Sequence, residues 1–259
     1  MTTLLRTLPF ANPASAGLDP IAPSALEKAV YADPGVIDMW RADSRMGASG
    51  WVGRKAEKVL APFRNGAVPT VQKIAAYGNK ESLLFGTGNT NGELALANGF
   101  PAGSYSIVYF GRPGPGDAAN MWGNSAAVDS SHGTFFQIGS TGSLTAVQNG
   151  ASAGGSSGMY LYADGPQLVI SSFDTADSRL RHRAHLGAKT WGGGAAVTAD
   201  AERTFHLGGT GSASVQFASL DAGDIAEVMI LNVPVLSGPN AALLATIEGY
   251  FAARYGLTA

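Results

Sequence analysis

The sequence contains no cysteine among its 259 residues. Disulfide bonds, thiolate nucleophiles, cysteine-based zinc sites and iron–sulfur clusters are therefore excluded. Charged residues are also scarce, at 14% of the chain, and they nearly balance, leaving a formal net charge of −2. Because no general positive field exists to attract nucleic acid or an anionic membrane, we expect neither as a partner. A low charge content is also typical of subunits that bury much of their surface against other subunits.

Long apolar runs are missing as well. Residues 1–6 do not contain the basic segment that precedes an apolar stretch of about 7 to 15 residues in a secretory signal peptide. The apolar segment 228–236 is interrupted by Asn232 and Pro234, and a membrane helix needs about 20 apolar residues. The sequence therefore predicts neither a signal peptide nor a transmembrane segment, and we expect synthesis and assembly in a cytoplasm.

Glycine and short apolar segments are what the chain has in abundance. The 35 glycines and several prolines separate segments that are rich in β-branched and aromatic residues, such as 104–110, 167–173 and 224–231. The helical periods that would connect the strands of a parallel sheet do not occur between these segments. The pattern predicts an all-β fold in which two antiparallel sheets form a sandwich.

Residues 1–35 differ in composition from the rest of the chain. Proline breaks up any long helix or strand there. Within this segment, Ser24 and Glu27 have the spacing of a capping box, which predicts one short helix that ends at about Tyr31. The prolines of the segment are Pro9, Pro13, Pro20, Pro23 and Pro34.

Four apolar residues near the beginning of the same segment need to be covered from water. They are Leu4, Leu5, Leu8 and Phe10. Either an ordered arm docks through them on a neighbouring subunit, or the segment is a loosely held tail. We therefore divide the chain into an N-terminal arm, residues 1–35, and one domain, residues 36–259.

The end of the domain carries the clearest helix signal. Ser237 stands as a capping residue before an early proline, apolar residues follow at helical spacing, and Gly256 supplies a left-handed C-terminal cap. The sequence predicts a helix over about 238–255. We expect its wide apolar face to pack on the sandwich, with Tyr250 and Tyr255 as core residues.

Several segments resemble one family. The segments 224–231, 235–237 and 247–257 are similar to the closing strand and terminal helix of laminin-G-like members of the concanavalin A-like lectin/glucanase superfamily. Segments 37–43 and 105–112 resemble the first strand and a central strand of such domains. The resemblance covers about residues 36–259 and implies a jelly roll whose concave face often binds glycans or proteins and sometimes holds calcium. It also implies a setting, because such domains are frequent in bacteriophage virion proteins.

A catalytic role is not expected. Related glucanases place carboxylates about 5 to 5.5 Å apart across the sugar, and the nearest pair here is Asp224 with Glu227. Residues three apart on a strand point to opposite faces unless a β-bulge intervenes. The histidines lack metal-ligand spacing, and serine-triad and phosphate-loop motifs do not occur. We therefore predict a protein that is not an enzyme and that needs no cofactor.

Two pairs of aspartates are weak calcium candidates. Asp174 with Asp177, and Asp221 with Asp224, each place two oxygen ligands on a turn. Calcium takes six to eight oxygen ligands, and an Asx turn explains each pair equally well. We therefore predict no metal site.

Glycan binding requires an aromatic platform with polar partners beside it. Trp122, with Asn124 close in sequence, and Trp191 both lie in glycine-rich segments that we expect to form loops. These three residues are the predicted glycan-binding set.

Two functions follow from these observations. The first is a non-enzymatic structural protein of a bacteriophage virion, decorating the capsid or associated with the tail, that contacts other virion subunits or forms a homo-oligomer through its arm. The alternative is a carbohydrate-binding module that recognises glycans of the host surface.

Overall fold

The computed structural model describes residues 24–42, 46–63, 68–86, 92–112, 114, 119–124, 134–138, 144–148, 151–154, 165–186, 189–196, 204–209 and 223–257. In this part of the chain, the strands form two sheets in which every pairing is antiparallel. The predicted two-sheet antiparallel sandwich is therefore confirmed.

The first sheet contains eight strands within the described residues. In spatial order they are β15 (Lys189–Ala196), β14 (Arg179–Leu186), β13 (Gln167–Asp174), β8 (Tyr105–Arg112), β17 (Asp224–Leu231), β6 (Lys80–Leu84) and β5 (Thr70–Ile74), with β1 (Val36–Arg41) also paired to β17. Strand β17 is buried along its whole length. One of its edges pairs with β8, and the other is shared between β6 and β1.

The second sheet contains nine strands in the same described ranges. They are, in spatial order, β12 (Ala151–Gly154), β11 (Leu144–Gln148), β10 (Thr134–Ile138), β9 (Ala119–Gly123), β16 (Phe205–Leu207), β7 (Leu94–Leu96), β4 (Val59–Pro62), β3 (Gly50–Val52) and β2 (Met46–Gly47). Hence strands that are far apart in sequence, such as β7 and β16, become neighbours.

The core between the sheets follows from the alternation of side chains along each strand. On β17, Ile225, Val228 and Ile230 point into the sandwich, where they pack with Trp40 and Trp51. The opposite face of the same sheet is also apolar, and it forms a second buried cluster beneath the helices. Burial on both faces explains why β17 reads as an almost continuous apolar run.

Two α-helices, α1 (Ala25–Ala32) and α2 (Ala241–Tyr255), pack on the outer face of the first sheet and against each other. The cap of α1 forms as expected, because Ser24 Oγ accepts a hydrogen bond from the backbone N–H of Glu27. Val30 of α1 is fully buried. Residues 24–35 therefore belong to the packed domain, so the boundary drawn at residue 35 falls inside it, while Leu4, Leu5, Leu8 and Phe10 lie outside the described residues.

The C-terminal helix is confirmed, with one correction at its start. Gly256 adopts φ +68°, and its N–H donates to the carbonyl of Ala252, as a left-handed cap requires. Ser237 precedes a single 3₁₀ turn over Gly238–Asn240, and α2 begins only after this turn. The Ser237 hydroxyl donates to Asp174 Oδ2 at 2.6 Å, because the turn brings it against the end of β13. Among the described residues, neither helix is long and apolar enough to cross a membrane.

Candidate functional site

The two sheets differ in what covers their outer faces. Both helices of the described residues pack on the outer face of the first sheet, and neither packs on the second sheet. Across four adjacent strands, the outer face of the second sheet carries a row formed by Ala61, Ala95, His206 and Gly123, which are direct register partners. The residues next to them in sequence, including Leu60 and Trp122, point inward. The row therefore consists of small residues and one imidazole.

Phe63 and Glu93 complete this group. His206 Nδ1 lies 3.1 Å from Glu93 Oε1, and both side chains are buried. The Phe63 ring packs edge-on against the imidazole, with 4.5 Å between ring centroids. The backbone N–H of Phe63 donates to the carbonyl of Glu93, which holds the ring in place. Because Phe63 remains 45% exposed, the group presents an aromatic surface supported from below by a buried His–Glu pair.

The chemistry of this group suits binding. Sugars combine apolar C–H faces, which pack on aromatic rings, with hydroxyls that need hydrogen-bond partners. The exposed Phe63 ring can supply the apolar contact, whereas His206 is buried and supports the ring from below. Sequence reasoning missed Phe63, Glu93 and His206, because they lie on three distant segments that only the sheet order brings together.

The structure corrects the prediction for Trp122. This residue lies on β9, is fully buried, and stacks in the core against Phe136 and Phe205, with centroid distances of 6.3 and 6.4 Å. The surrounding glycines accompany a strand and not a loop. Asn124 is buried too, and its Oδ1 accepts a hydrogen bond from the Thr134 N–H at 2.7 Å. These two residues therefore hold the sandwich together and offer no surface to a glycan.

Trp191, the third member of the predicted set, lies on β15, where it pairs with Ala184 of β14. Its backbone is thus in an outermost strand of the first sheet and not in a loop. Its side chain is outside the described residues, so its role in glycan binding stays a prediction.

The calcium candidates are engaged by protein donors. Asp174 accepts from the N–H of Ala176, which is the Asx turn considered above, and also from Ser237. The carboxylate of Asp177 binds Arg181, whereas Asp221 lies outside the described residues. Within the ranges that the structure describes, no group of three or more metal-ligating side chains occurs.

Asp224 and Glu227 do share one face of β17. The register between β17 and β8 shifts between Ile225 and Glu227, so Ala226 is the extra residue of a β-bulge. Both carboxylates consequently lie on the side that faces the helices. Asp224 is bound by Arg112 Nε at 2.7 Å and by the Tyr77 hydroxyl. On a regular strand, residues three apart would point to opposite faces, and the β-bulge is what places these two carboxylates on the same face.

Glu227 is enclosed by aromatic hydroxyls and arginines. The hydroxyls of Tyr250 and Tyr255 donate to its carboxylate at 2.8 and 2.9 Å. Arg254 Nε lies 2.7 Å and Arg41 Nε 3.9 Å from Oε1. Burial raises the pKa of Glu227, and these two arginines counteract part of that rise. Glu227 is fully buried, so the pair it forms with Asp224 does not face a surface where a substrate could bind.

The comparisons with known proteins concern the fold. No family model matches the sequence, and no curated protein matches it. Two structures of the Trypanosoma rangeli sialidase, one with sialic acid and one with 2,3-difluoro-KDN, are similar at 13% identity, with TM-scores of 0.55 and 0.54. The two matches cover 90% and 93% of this chain, and they cover 35% and 36% of the respective sialidase chains. A CBM40 domain of the Ruminococcus gnavus IT-sialidase bound to α2,3-sialyllactose is similar at 11% identity and a TM-score of 0.40, over 56% of this chain and 84% of that domain.

The match to the trypanosomal sialidase establishes a shared β-sandwich fold. This chain spans only about a third of the length of that enzyme. Because one fold hosts many functions, the activity of the longer protein is not transferred by the similarity.

Proposed function

We propose that this protein is a non-enzymatic carbohydrate-binding module that binds glycans on the outer face of its second sheet. One observation carries the proposal: the half-exposed Phe63 ring rests on the buried His206–Glu93 pair, at the end of a row of small side chains. This function is the alternative predicted from the sequence, but the binding position moves from Trp122 to Phe63.

The surface around Phe63 favours a ligand with a flat apolar face. Ala61 is exposed and Ala95 is partly buried. Because both side chains are small, they do not crowd the ring. The Glu93 carboxylate lies 3.1 Å from the imidazole and is fully buried, a position that suits orienting His206 and not attacking a sugar. We therefore propose binding without hydrolysis.

The test is glycan retention by the purified full-length chain on an array of neutral and sialylated glycans. Sialylated glycans are included because the trypanosomal sialidase, whose fold is shared, is described with sialic acid. For a retained glycan, we expect Phe63→Ala to weaken binding by about fivefold, since an aromatic contact contributes on the order of 1 kcal/mol. Phe63→Tyr should retain binding.

A matched control is Val71→Ala. Val71 is 40% exposed, close to the exposure of Phe63, but lies on β5 of the first sheet. Its substitution should leave glycan affinity unchanged. Retention of no glycan by the wild-type chain, or equal affinities of Phe63→Ala and Val71→Ala, would contradict the proposal.

Subunit assembly is the second candidate, and one observation favours it. The exposed large apolar side chains among the described residues are Val59, Phe63, Val68 and Val71, which all belong to the segment 59–71. Exposed apolar side chains are typical of protein–protein contacts. Light scattering of the purified chain decides between the two candidates. Assembly predicts an oligomer in the absence of glycan, and it predicts that Phe63→Ala shifts the mass towards that of the monomer. The similar structures offer no support for the virion setting or for the laminin-G-like assignment, so both stay predictions.

A further inference from the structure

Strand β5, Thr70–Ile74, is the outermost strand of the first sheet in the part of the chain that the structure describes. One of its edges pairs with β6 along the whole strand, and no described strand pairs with the other edge. Thr70, Val71 and Lys73 are exposed, so the strand lies at the surface of the molecule. A free edge presents unpaired backbone N–H and C=O groups and is a template for pairing with another strand.

The free edge is also apolar. Val68 and Val71, two of the exposed large apolar side chains among the described residues, are 37% and 40% exposed. Val71 is the register partner of Leu83 in β6, which belongs to the core between the sheets. Because register partners share a face, Val71 extends the apolar inner face of the sheet to an edge that is open to water. Free edges are usually blunted by charged residues, proline or bulges, and Lys73 is the only charged residue of β5.

The sequence of β5 is complementary to a second copy of itself. Two copies can pair antiparallel about a twofold axis that passes through Gln72. This register places Thr70 opposite Ile74 of the partner subunit, and it places Val71 opposite Lys73 of the partner subunit. The residue on the axis meets its own copy, and an amide satisfies this condition because it carries both donors and an acceptor. The contact is isologous, so it closes as a dimer.

The charges of this register also fit. In its own subunit Lys73 is the register partner of Glu81, while Val71 is the register partner of Leu83. Each lysine therefore has a carboxylate on one side and the partner subunit's Val71 on the other. A lysine stem can cover an apolar neighbour while its ammonium group remains in water. In this arrangement like charges do not meet across the pairing of the two β5 strands.

The neighbouring registers are less favourable. An axis at Lys73 places two ammonium groups directly opposite each other, which is destabilising. An axis at Val71 places Pro69 in the ladder, where its nitrogen has no hydrogen to donate. A shift by one residue turns the inner face of one sheet towards the outer face of the other. The axis at Gln72 is therefore the register that the sequence favours.

We propose that two copies of this chain associate through β5 and join their first sheets into one continuous antiparallel sheet. The inference is independent of glycan binding, because Phe63 lies on the second sheet. It gives subunit assembly, the second candidate function, a defined contact that does not involve Phe63. One short strand makes a small contact, and contacts below about 1,200 Å² are typical of weak association. We therefore expect a dimer that forms and dissociates with concentration.

The test is sedimentation equilibrium of the purified full-length chain, without glycan, over a range of concentrations. We expect a monomer–dimer equilibrium for the wild type. Val71→Lys places like charges opposite each other twice in each dimer, so it should weaken association by about tenfold. Val71→Glu changes the same exposed position by one charge but faces Lys73 of the partner subunit, so association should be retained. Adding Lys73→Glu to Val71→Lys should restore the dimer.

Val59→Lys is the matched control. Val59 is 37% exposed, but it lies on β4 of the second sheet, so its substitution should leave association unchanged. The thermal midpoint of each variant confirms that it folds.

Three outcomes would overturn the inference. The first is a wild-type chain that stays monomeric at every concentration, and the second is equal association of Val71→Lys and Val71→Glu. The third is association that Phe63→Ala abolishes and Val71→Lys does not, which would assign the contact to the outer face of the second sheet. Glycan retention by Val71→Lys separates this inference from the proposed function, because a monomer keeps the Phe63 site.

Discussion

Gly53 lies directly against the carboxylate of Asp38, so close that a Cβ atom at this position would overlap both carboxylate oxygens. The contact exists because Asp38, buried on β1, accepts hydrogen bonds from three backbone N–H groups of the loop after β3, those of Lys55, Ala56 and Lys58. Those of Lys55 and Lys58 donate at 2.9 Å. One carboxylate therefore organises the connection between β3 and β4, and it does so only if residue 53 has no side chain.

Gly53→Ala is the first prediction. The added methyl group must displace Asp38 or the loop, so we expect the free energy of unfolding to fall by about 1–3 kcal/mol. Urea denaturation measures the change. Gly47→Ala is the control, because a Cβ atom at Gly47 meets nothing within 4 Å; it should change stability by less than about 0.5 kcal/mol. Equal stabilities of the two variants would refute this account of the loop.

Trp122→Ala tests the corrected position of that residue. Because Trp122 is fully buried between the sheets, its truncation should lower the free energy of unfolding by about 3–5 kcal/mol. Phe63→Ala, which removes a half-exposed ring, should cost much less. Thermal or chemical denaturation of both variants makes the comparison. A stable Trp122→Ala protein that had lost only glycan binding would instead restore the original surface prediction.

Glu227→Gln addresses the buried ion pairs between the helices and the first sheet. The substitution keeps the shape but leaves Arg254 and Arg41 without this partner, so we expect a loss of about 3–5 kcal/mol in unfolding free energy. Glu248→Gln removes the more exposed ion pair with Arg183, whose atoms are 3.1 Å apart, and should cost at most about 1 kcal/mol. Finding the two losses equal would mean that burial does not strengthen the Glu227 contacts.

The pH dependence of stability has a component from His182. Burial lowers its pKa from 6.5 to about 4, so between these values the unfolded chain binds a proton that the folded chain does not. Stability from this residue is therefore present above pH 6.5 and is lost as the pH falls towards 4, by up to about 3 kcal/mol. His182→Gln should remove this component.

The measurement is the difference between wild type and His182→Gln in denaturation curves from pH 4 to pH 8. A difference is needed because burial raises the pKa values of Asp224 and Glu227. Raised carboxyl pKa values act in the opposite direction, since they lower stability as the pH rises through their range. Parallel pH profiles for the two proteins would show that His182 does not titrate as expected.

Elements whose signals are local could be predicted from the sequence alone. The cap of α1 joins Ser24 to Glu27, and the end of α2 needs only the left-handed conformation of Gly256, so both depend on neighbouring residues. The alternation and glycine spacing of the strands likewise predicted an antiparallel sandwich, because the side-chain period of a strand is a property of its own backbone.

The face that each strand buries, and the strands that become its neighbours, depend on tertiary contacts. Period-two alternation does not say which set of residues points inward, so Trp122 was expected at the surface and lies in the core. A single bulge residue, Ala226, placed Asp224 and Glu227 on one face. The order of β4, β7 and β16 brought Phe63 onto His206. Register, bulges and strand order depend on contacts between distant segments, and for that reason they left no local signal in the sequence.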